Sequence, residues 1–470
     1  MNRLLPFLCL LLLSHAMRAA QPNVLFLFAD DQTYEAVRAF GHTDIDTPNL
    51  DRLAARGTNF TRAYNMGSWS GAVCVASRTM LITGRSVWSA QSIYNSTDKE
   101  REAGLLWPQL MAKAGYQTFM TGKWHIQAKA ERAFDVVRNL RSGMPGTVSQ
   151  AYNRPVEGAL DSWNPADENL GGYWQGGKHW SEVAADDCID FLGQTRSDGR
   201  PFFIYTAFNA PHDPRQSPQT YLDKYPLSRM SLPRSFQPEY PHKDAMGCGL
   251  GLRDEKLAPM PRTEFSVKTH RREYYALVTH LDAQIGRILD ALDQSGQADN
   301  TWVFFTADHG LALGNHGLLG KQNMYDHSVR VPFIVAGPGV PRNAKNDAAI
   351  YLQDVMPTAL ELAGAEKPEH VFFKSLCPLL KGAQTRSNYD AVYGAYLDLQ
   401  RAITHDGWKL IAYPKAKVLR LYHLADDPLE ITDLAARPEH AGVKTRLFDR
   451  LTKLATEMGD ALDLKRVYGE

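Results

Sequence analysis

The chain has 470 residues, 44 % of them hydrophobic and 22 % charged, an ordinary globular balance that excludes fibrous and disordered classes. Lys plus Arg equals Asp plus Glu at 52 each, so no global field draws the chain to nucleic acid or to an anionic membrane. Any affinity for anions has to be local.

Residues 1–20 read as a secretory signal: Arg3 gives a positive start, and 4–13 form an apolar run too short to span a bilayer. Small residues follow at Ala16, Ala19 and Ala20. This predicts a periplasmic or secreted protein without a stable membrane span. Beyond the leader, strand-length apolar runs at 23–28 (NVLFLF), 116–120, 201–208 (PFFIYTAF), 301–306 (TWVFFT) and 331–335 alternate with helices. Helical patterns cover 49–56, 79–83, 105–114, 180–192, 273–292 and 354–362, the first marked by Thr47, Pro48 and the stop at Gly57. Near-continuous apolar strands between helices imply a large, mainly parallel or mixed sheet flanked by helices, placed at 21–370. After 370 the pattern changes to short strands at 391–397, 401–413 and 419–424, with a helix near 443–454. This predicts a smaller C-terminal antiparallel sheet plus helix over 371–470.

In an open α/β sheet, ligands bind beyond the carboxyl ends of the strands. Asp30-Asp31 follow the first strand and Gly122-Lys123-Trp124-His125 the second. Pro211-His212-Asp213 follow the third and Asp308-His309-Gly310 the fourth, with His316 and Lys321 close behind. Two carboxylates about 4 Å apart repel by roughly 4 kcal/mol at an effective dielectric near 20, so three need a cation or a raised pKa. Oxygen-rich ligation by Asp30, Asp31 and Asp308 suits Ca²⁺ or Mg²⁺, whereas His309 as a fourth ligand would also suit Zn²⁺ or Mn²⁺. Arg78, Lys123, His125, His212 and Lys321 beside such an ion describe a pocket for a tetrahedral oxyanion ester, sulfate or phosphate.

After the leader four cysteines remain: Cys74, Cys188, Cys248 and Cys377. They show no metal-knuckle spacing, and one bridge among the last three is left open. Cys74 stands just before the helical stretch 79–83, where a helix N-terminus would stabilise a thiolate or another oxyanion. Only three residues separate it from Arg78, too few for a thiol-phosphatase loop.

The run Cys74-Val75-Ala76-Ser77-Arg78, followed by Leu81-Ile82-Thr83-Gly84-Arg85, resembles the first signature of the type I sulfatases. The run Gly115-Tyr116-Gln117-Thr118 with Gly122-Lys123-Trp124-His125 resembles the second. Asp30-Asp31, Pro211-His212, Asp308-His309-Gly310 and Lys321 are similar to the family's other blocks in the family's order, as is Leu421-Tyr422-His423-Leu424 near the C-terminus. The resemblance implies an alkaline-phosphatase-like fold and a bound divalent ion, usually Ca²⁺. It also implies a maturation enzyme that oxidises Cys74 to formylglycine, and a sulfate ester as substrate. By the same resemblance Asp30, Asp31, Asp308 and His309 hold the metal, and the hydrated aldehyde at 74 attacks sulfur. His212 or Lys321 protonates the leaving alcohol, His125 takes the proton that releases sulfate, and Arg78 and Lys123 hold the diol and sulfate oxygens. Position 76 is Ala where the common signature has Pro, and position 309 is His where many members have Asn.

A phosphodiesterase or phosphonate monoester hydrolase on the same scaffold is the nearest alternative, and a non-catalytic binder of sulfated glycans is another. Between Gly143 and Trp180 lies an insertion with Tyr152, Trp163, Tyr173, Trp174 and Trp180. These rings either stack on sugars, which suggests a sulfated carbohydrate, or pack the loop onto the body. The spacing leaves open whether His179 reaches the pocket.

Overall fold

The computed structural model describes residues 21–195 and 199–469. The secretion signal read at 1–20 lies outside the described residues. The strands that matter for the site are, in chain order, β1 (Asn23–Ala29), β2 (Thr58–Phe60), β3 (Gly67–Ser68), β4 (Gln117–Lys123), β5 (Val136–Arg141), β6 (Phe202–Ala207), β7 (Thr301–Ala307), β8 (Phe333–Ala336) and β9 (Ala344–Asn346). All but β3 form one sheet in the order β9-β2-β8-β7-β1-β6-β4-β5. Only β8 runs against its neighbours β7 and β2, so the sheet is mixed with a parallel centre. The strand expected at 331–335 is split: Arg330–Val331 pairs elsewhere, and Pro332, which has no N–H for a ladder, separates it from β8.

Register shows why both faces read as apolar. Val24, Phe26 and Phe28 align with Phe203 and Tyr205 on one face, where Trp107 of α3 (Trp107–Lys113) meets Phe26 at 5.3 Å between ring centroids. Leu25, Ile204 and Phe119 align on the other, where Phe191 of α4 (Trp180–Gln194) packs against Phe119 at 4.9 Å. The remaining helices that matter below are α1 (Pro48–Arg56), α2 (Val73–Thr83), α5 (Glu264–Gln294) and α6 (Val355–Leu362). Helix α5 begins nine residues before the expected 273. A capping box between Thr263 and Ser266 starts it, and its first turns bury His270 and Arg271, which hid the apolar period.

The C-terminal sheet comprises β10 (Val392–Tyr396), β11 (Gln400–His405), β12 (Trp408–Tyr413) and β13 (Val418–His423), antiparallel in sequence order and packed on α7 (Ala441–Glu457). The stretch 401–413, whose sequence places a turn at His405-Asp406-Gly407, is a hairpin turning at Asp406-Gly407. A fifth strand comes from β3, parallel to β10, where a Cβ on Gly67 would stand 1.9 Å from the Ala395 carbonyl oxygen. The residues just before α2 are thereby stitched to the C-terminal sheet. All four cysteines after the leader are buried and free, so the bridge left open among Cys188, Cys248 and Cys377 does not form. Among the described residues no helix is long and apolar enough to cross a membrane.

Candidate active site

Parallel register brings the strand ends to one edge. Ala29 of β1 aligns with Ala307 of β7, so Asp30 and Asp308 leave the sheet side by side. Gly122 of β4 aligns with Ala207 of β6, which sets Lys123 opposite the loop to His212. Gly122 has φ +92°, and a Cβ there would lie 1.9 Å from the Ala207 carbonyl oxygen, so the close approach requires glycine. Asp31 takes a left-handed φ of 65°. Its N–H donates to Asp308 Oδ1 at 3.1 Å, as does the N–H of His309.

Three carboxylates face three cations. Lys123 Nζ donates to Asp30 Oδ2 at 2.5 Å, Lys321 Nζ to Asp31 Oδ2 at 2.6 Å, and Arg78 Nε to Asp308 Oδ2 at 3.1 Å. All six side chains are buried. Burial lifts Asp30 well above the usual carboxylate range, with Asp308 adding to it. Burial would lift Asp31 and Asp308 too, but Lys321 and His212 hold Asp31 low and His309 and Arg78 hold Asp308 low. Burial alone would lower Lys321; Asp31 outweighs it and keeps the ammonium charged.

The donor set fits a metal ion on its own chemistry. Ligand atoms of Asp30, Asp31 and Asp308 lie within 4.8 Å of one another, and His309 Nε2 is 3.4 Å from Asp31 Oδ1. His309 Nδ1 donates to the Gly310 carbonyl at 3.0 Å, which leaves Nε2 as the bare nitrogen. That Nε2 and Asp30 Oδ1 are buried without a hydrogen-bond partner. Unpartnered buried acceptors beside Asp31 and Asp308 are what a cation would satisfy. Because the amines already balance the carboxylates, a divalent ion would leave the pocket positive and ready for an anionic ester.

Cys74 is not ahead of its helix but the second residue of α2, which starts at Val73. Its Sγ accepts from Lys321 Nζ at 3.3 Å and lies 3.9 Å from Asp31 Oδ1. Burial pushes the thiol far up despite Lys123 and Lys321, so the unmodified side chain stays a thiol and not the thiolate expected from its position. Ala76 is the fourth residue of α2, one turn in from its N-cap Ala72.

The histidines divide. His212 Nδ1 donates to the Asp213 carbonyl at 2.8 Å, and its Nε2 stands 3.6 Å from Asp31 Oδ2. Burial keeps it neutral. His125 has a left-handed φ of 58° and packs against Gly143; burial, then Lys123, Arg78 and Lys321, push it down to about 3, leaving a neutral base. His316 is elsewhere: its Nε2 donates to the Glu430 carbonyl at 2.9 Å and its ring stacks on Tyr325, so a left-handed turn carries it to the C-terminal sheet. His179 does not reach the pocket either. It caps α4 and stacks on Tyr173. Trp163, Tyr173, Trp174 and Trp180 are buried, and Tyr173 Oη donates to the Asn209 and His212 carbonyls, so these rings pack the insertion onto the body.

Three further contributors surround the carboxylates, of which Asn65 and Tyr274 carried no sequence signal and Ser77 lies in the run Cys74–Arg78. Asn65 and Ser77 both donate to the Asp308 carbonyl oxygen, and Tyr274 Oη donates to the Asp31 carbonyl at 2.6 Å. Asp213, in contrast, was visible beside His212.

The sulfatase family model matches residues 22–365, and a model described as the N-sulphoglucosamine sulphohydrolase C-terminal region matches 314–457. An N-acetylglucosamine-6-O-sulfatase of Bacteroides thetaiotaomicron is 26 % identical over 512 aligned residues, spanning 94 % of this chain and 87 % of the relative. A structure solved with its substrate D-glucosamine-2-N,6-O-disulfate superposes with TM-score 0.72 at 23 % identity, covering 95 % of this chain and all of the other. The phosphonate monoester hydrolase of Agrobacterium radiobacter superposes equally well, with TM-score 0.72 at 21 % identity over 93 % and 96 % of the two chains. With its alkaline-phosphatase-like sheet and a family match over most of its length, the chain belongs to the sulfatase family of sulfuric ester hydrolases.

Proposed function

We propose that the protein, exported to the periplasm or secreted, hydrolyses a sulfate ester on a carbohydrate, with formylglycine made from Cys74 as the nucleophilic group. The observation that carries this reading is a buried cluster of carboxylates and cations, neutral by itself, with unpartnered ligand atoms on one side and Cys74 on the other. Asp30, Asp31, Asp308 and His309 would hold a hard divalent ion, Ca²⁺ or Mg²⁺, which supplies Lewis-acid polarisation and charge stabilisation when bound. Oxidation by a maturation enzyme would give Cys74 an aldehyde whose hydrate is a nucleophile at a buried position where a thiol is inert. The carbohydrate class follows the two glucosamine sulfate relatives, whose names state their substrates.

The chain's own groups then divide the remaining tasks. Lys321, kept as an ammonium by Asp31, can hand a proton to the leaving oxygen. His125, kept neutral, can accept one. Lys123 and Arg78 are tied to Asp30 and Asp308, so they order the carboxylates and add positive potential toward the sulfate oxygens.

Mass spectrometry of the Cys74 peptide from exported protein, joined to turnover of an aryl sulfate and an aryl phosphodiester, tests the reading. Formylglycine with sulfate turnover dominant is the expected result. An unmodified thiol, or a preference for the phosphodiester, would sink it; the second outcome would favour the phosphonate hydrolase alternative that the scaffold also accommodates.

A further inference from the structure

Residues 253–255 connect two parts of the site that are distant in sequence. Arg253 donates through both terminal nitrogens to the Asp213 carboxylate, at 3.2 Å for Nη2 to Oδ1, and Nη2 also donates to Asp254. Asp213 is the residue whose backbone carbonyl accepts from His212 Nδ1 and whose carboxylate lies 3.3 Å from that nitrogen. The next residue turns the other way. Asp254 Oδ2 accepts from Gln322 Nε2 at 2.6 Å, and Gln322 Oε1 accepts the N–H of Lys321 at 2.9 Å. Glu255 completes the hold: it accepts from the N–H groups of Leu319 at 3.0 Å and Gly320 at 2.8 Å, and it pairs with buried Arg262. His212 and Lys321 are thus anchored from one turn, on its two sides.

We propose that the turn Arg253-Asp254-Glu255 is a positioning element that fixes His212 and Lys321 on the leaving-group side of the site, with Arg253 as the residue that joins its two arms. The inference rests on the sulfate ester reading above. Arg253 suits the task because a planar guanidinium can bridge two carboxylates, which an ammonium on a flexible stem cannot do in the same geometry. Its side chain is 35 % exposed while Asp213 and Asp254 are buried, so it closes the network from the solvent side. Arg253 acts through Asp213, Asp254 and Gln322, and no step of the reaction requires it to touch substrate.

Leaving groups of different basicity give a readout that a merely structural role would not move. Nitrophenolate departs without a proton, whereas phenolate needs one more strongly, so loss of a placed donor steepens the dependence on leaving-group basicity. The experiment compares kcat and KM of formylglycine-bearing, metal-loaded protein on 4-nitrophenyl sulfate and phenyl sulfate for wild type, Arg253→Gln, Arg253→Lys and Asp254→Ala. For Arg253→Gln, kcat on phenyl sulfate is expected to fall about 10²-fold and on 4-nitrophenyl sulfate less than about threefold, with KM unchanged. Arg253→Lys should recover roughly tenfold of the loss, because it restores charge without the fork. Asp254→Ala should reproduce the leaving-group effect through the Lys321 arm. Equal losses on both esters, a change in KM alone, or full activity of Arg253→Gln beside an active wild type would each overturn this inference and leave the functional reading standing. A wild type that cleaves neither ester would overturn both.

Discussion

At the carboxyl edge of the large sheet, Asp30, Asp31 and Asp308 face Lys123, Lys321 and Arg78. At the seam under the C-terminal sheet, Lys409 faces Asp326 at 2.8 Å and Glu430 at 2.7 Å, and partly buried Arg330 lies 3.8 Å from the other oxygen of Asp326. Both clusters are buried, and both set ammonium against carboxylate. They resolve their charge differently. At the seam burial raises the Glu430 carboxyl toward its protonated form, and Lys409 Nζ stays 2.7 Å from it. At the sheet edge the charges already match, yet Asp30 Oδ1 and His309 Nε2 have no hydrogen-bond partner, and Arg78 Nη2 stands 3.8 Å from that Oδ1. A cluster that closes on itself holds subdomains together, whereas a neutral cluster with spare ligand atoms is arranged around something else. Glu430 Oε1 at the seam also lacks a hydrogen bond but keeps the Lys409 ammonium at 2.7 Å, so the two clusters differ in whether such an acceptor has a cation in contact.

The comparison breaks most visibly at the metal ligands. Asp308→Asn removes charge from the one carboxylate that meets Arg78, the N–H of Asp31 and the N–H of His309. Turnover should fall on the order of 10³-fold, with metal content by atomic emission dropping in parallel. Full activity with full metal content would show that the sheet-edge cluster is structural like the seam. The seam should respond in the opposite way. Lys409→Met leaves Glu430 buried without a cation and Asp326 with only Arg330 at 3.8 Å, and urea unfolding should show a loss of about 3–5 kcal/mol. Turnover per folded molecule should not change, since Lys409 contacts no group at the sheet edge. A Lys409→Met protein with wild-type stability but poor turnover would invert the assignment.

Much of this division was legible in the residues, and the rest was not for identifiable reasons. Strand ends carrying Asp30, Lys123, His212 and Asp308 could be read because parallel strands with apolar runs must end at one edge. The position of Cys74 inside α2 was missed because Val73 and Ala72 give no cap signal, so the helix was read from Thr79 onward. β3 is two residues long, too short for any period, and its pairing with β10 depends on contacts more than 300 residues away. Arg253, Asn65 and Tyr274 act through single hydrogen bonds to residues far along the chain, which leave no local pattern. His316 illustrates the converse. It follows close behind the strand-end run Asp308-His309-Gly310, but its φ of 54° turns the ring away from the metal ligands.

That turn gives the smallest and most specific test of the comparison. His316 donates from Nε2 to the Glu430 carbonyl, and its Nδ1 meets His327 Nε2 at 3.3 Å, so the neutral ring is built into the seam. Burial pushes His316 down to about 4, from an ordinary value near 6.5. With the folded value depressed, the unfolded chain binds the extra proton first. Stability is therefore fully present above about pH 6.5 and is lost as pH falls toward 4, by at most about 3 kcal/mol. His316→Gln should lower stability at pH 7.5, because it breaks the contact to Glu430, yet it should flatten the slope of urea midpoint against pH between 6.5 and 4.5. Turnover measured at pH 7.5 should stay near wild type in the same variant. If the slope persists unchanged in His316→Gln, the acid sensitivity belongs to another seam group. If turnover falls with the slope, His316 serves the sheet-edge site after all, and the boundary drawn between the two clusters has to move.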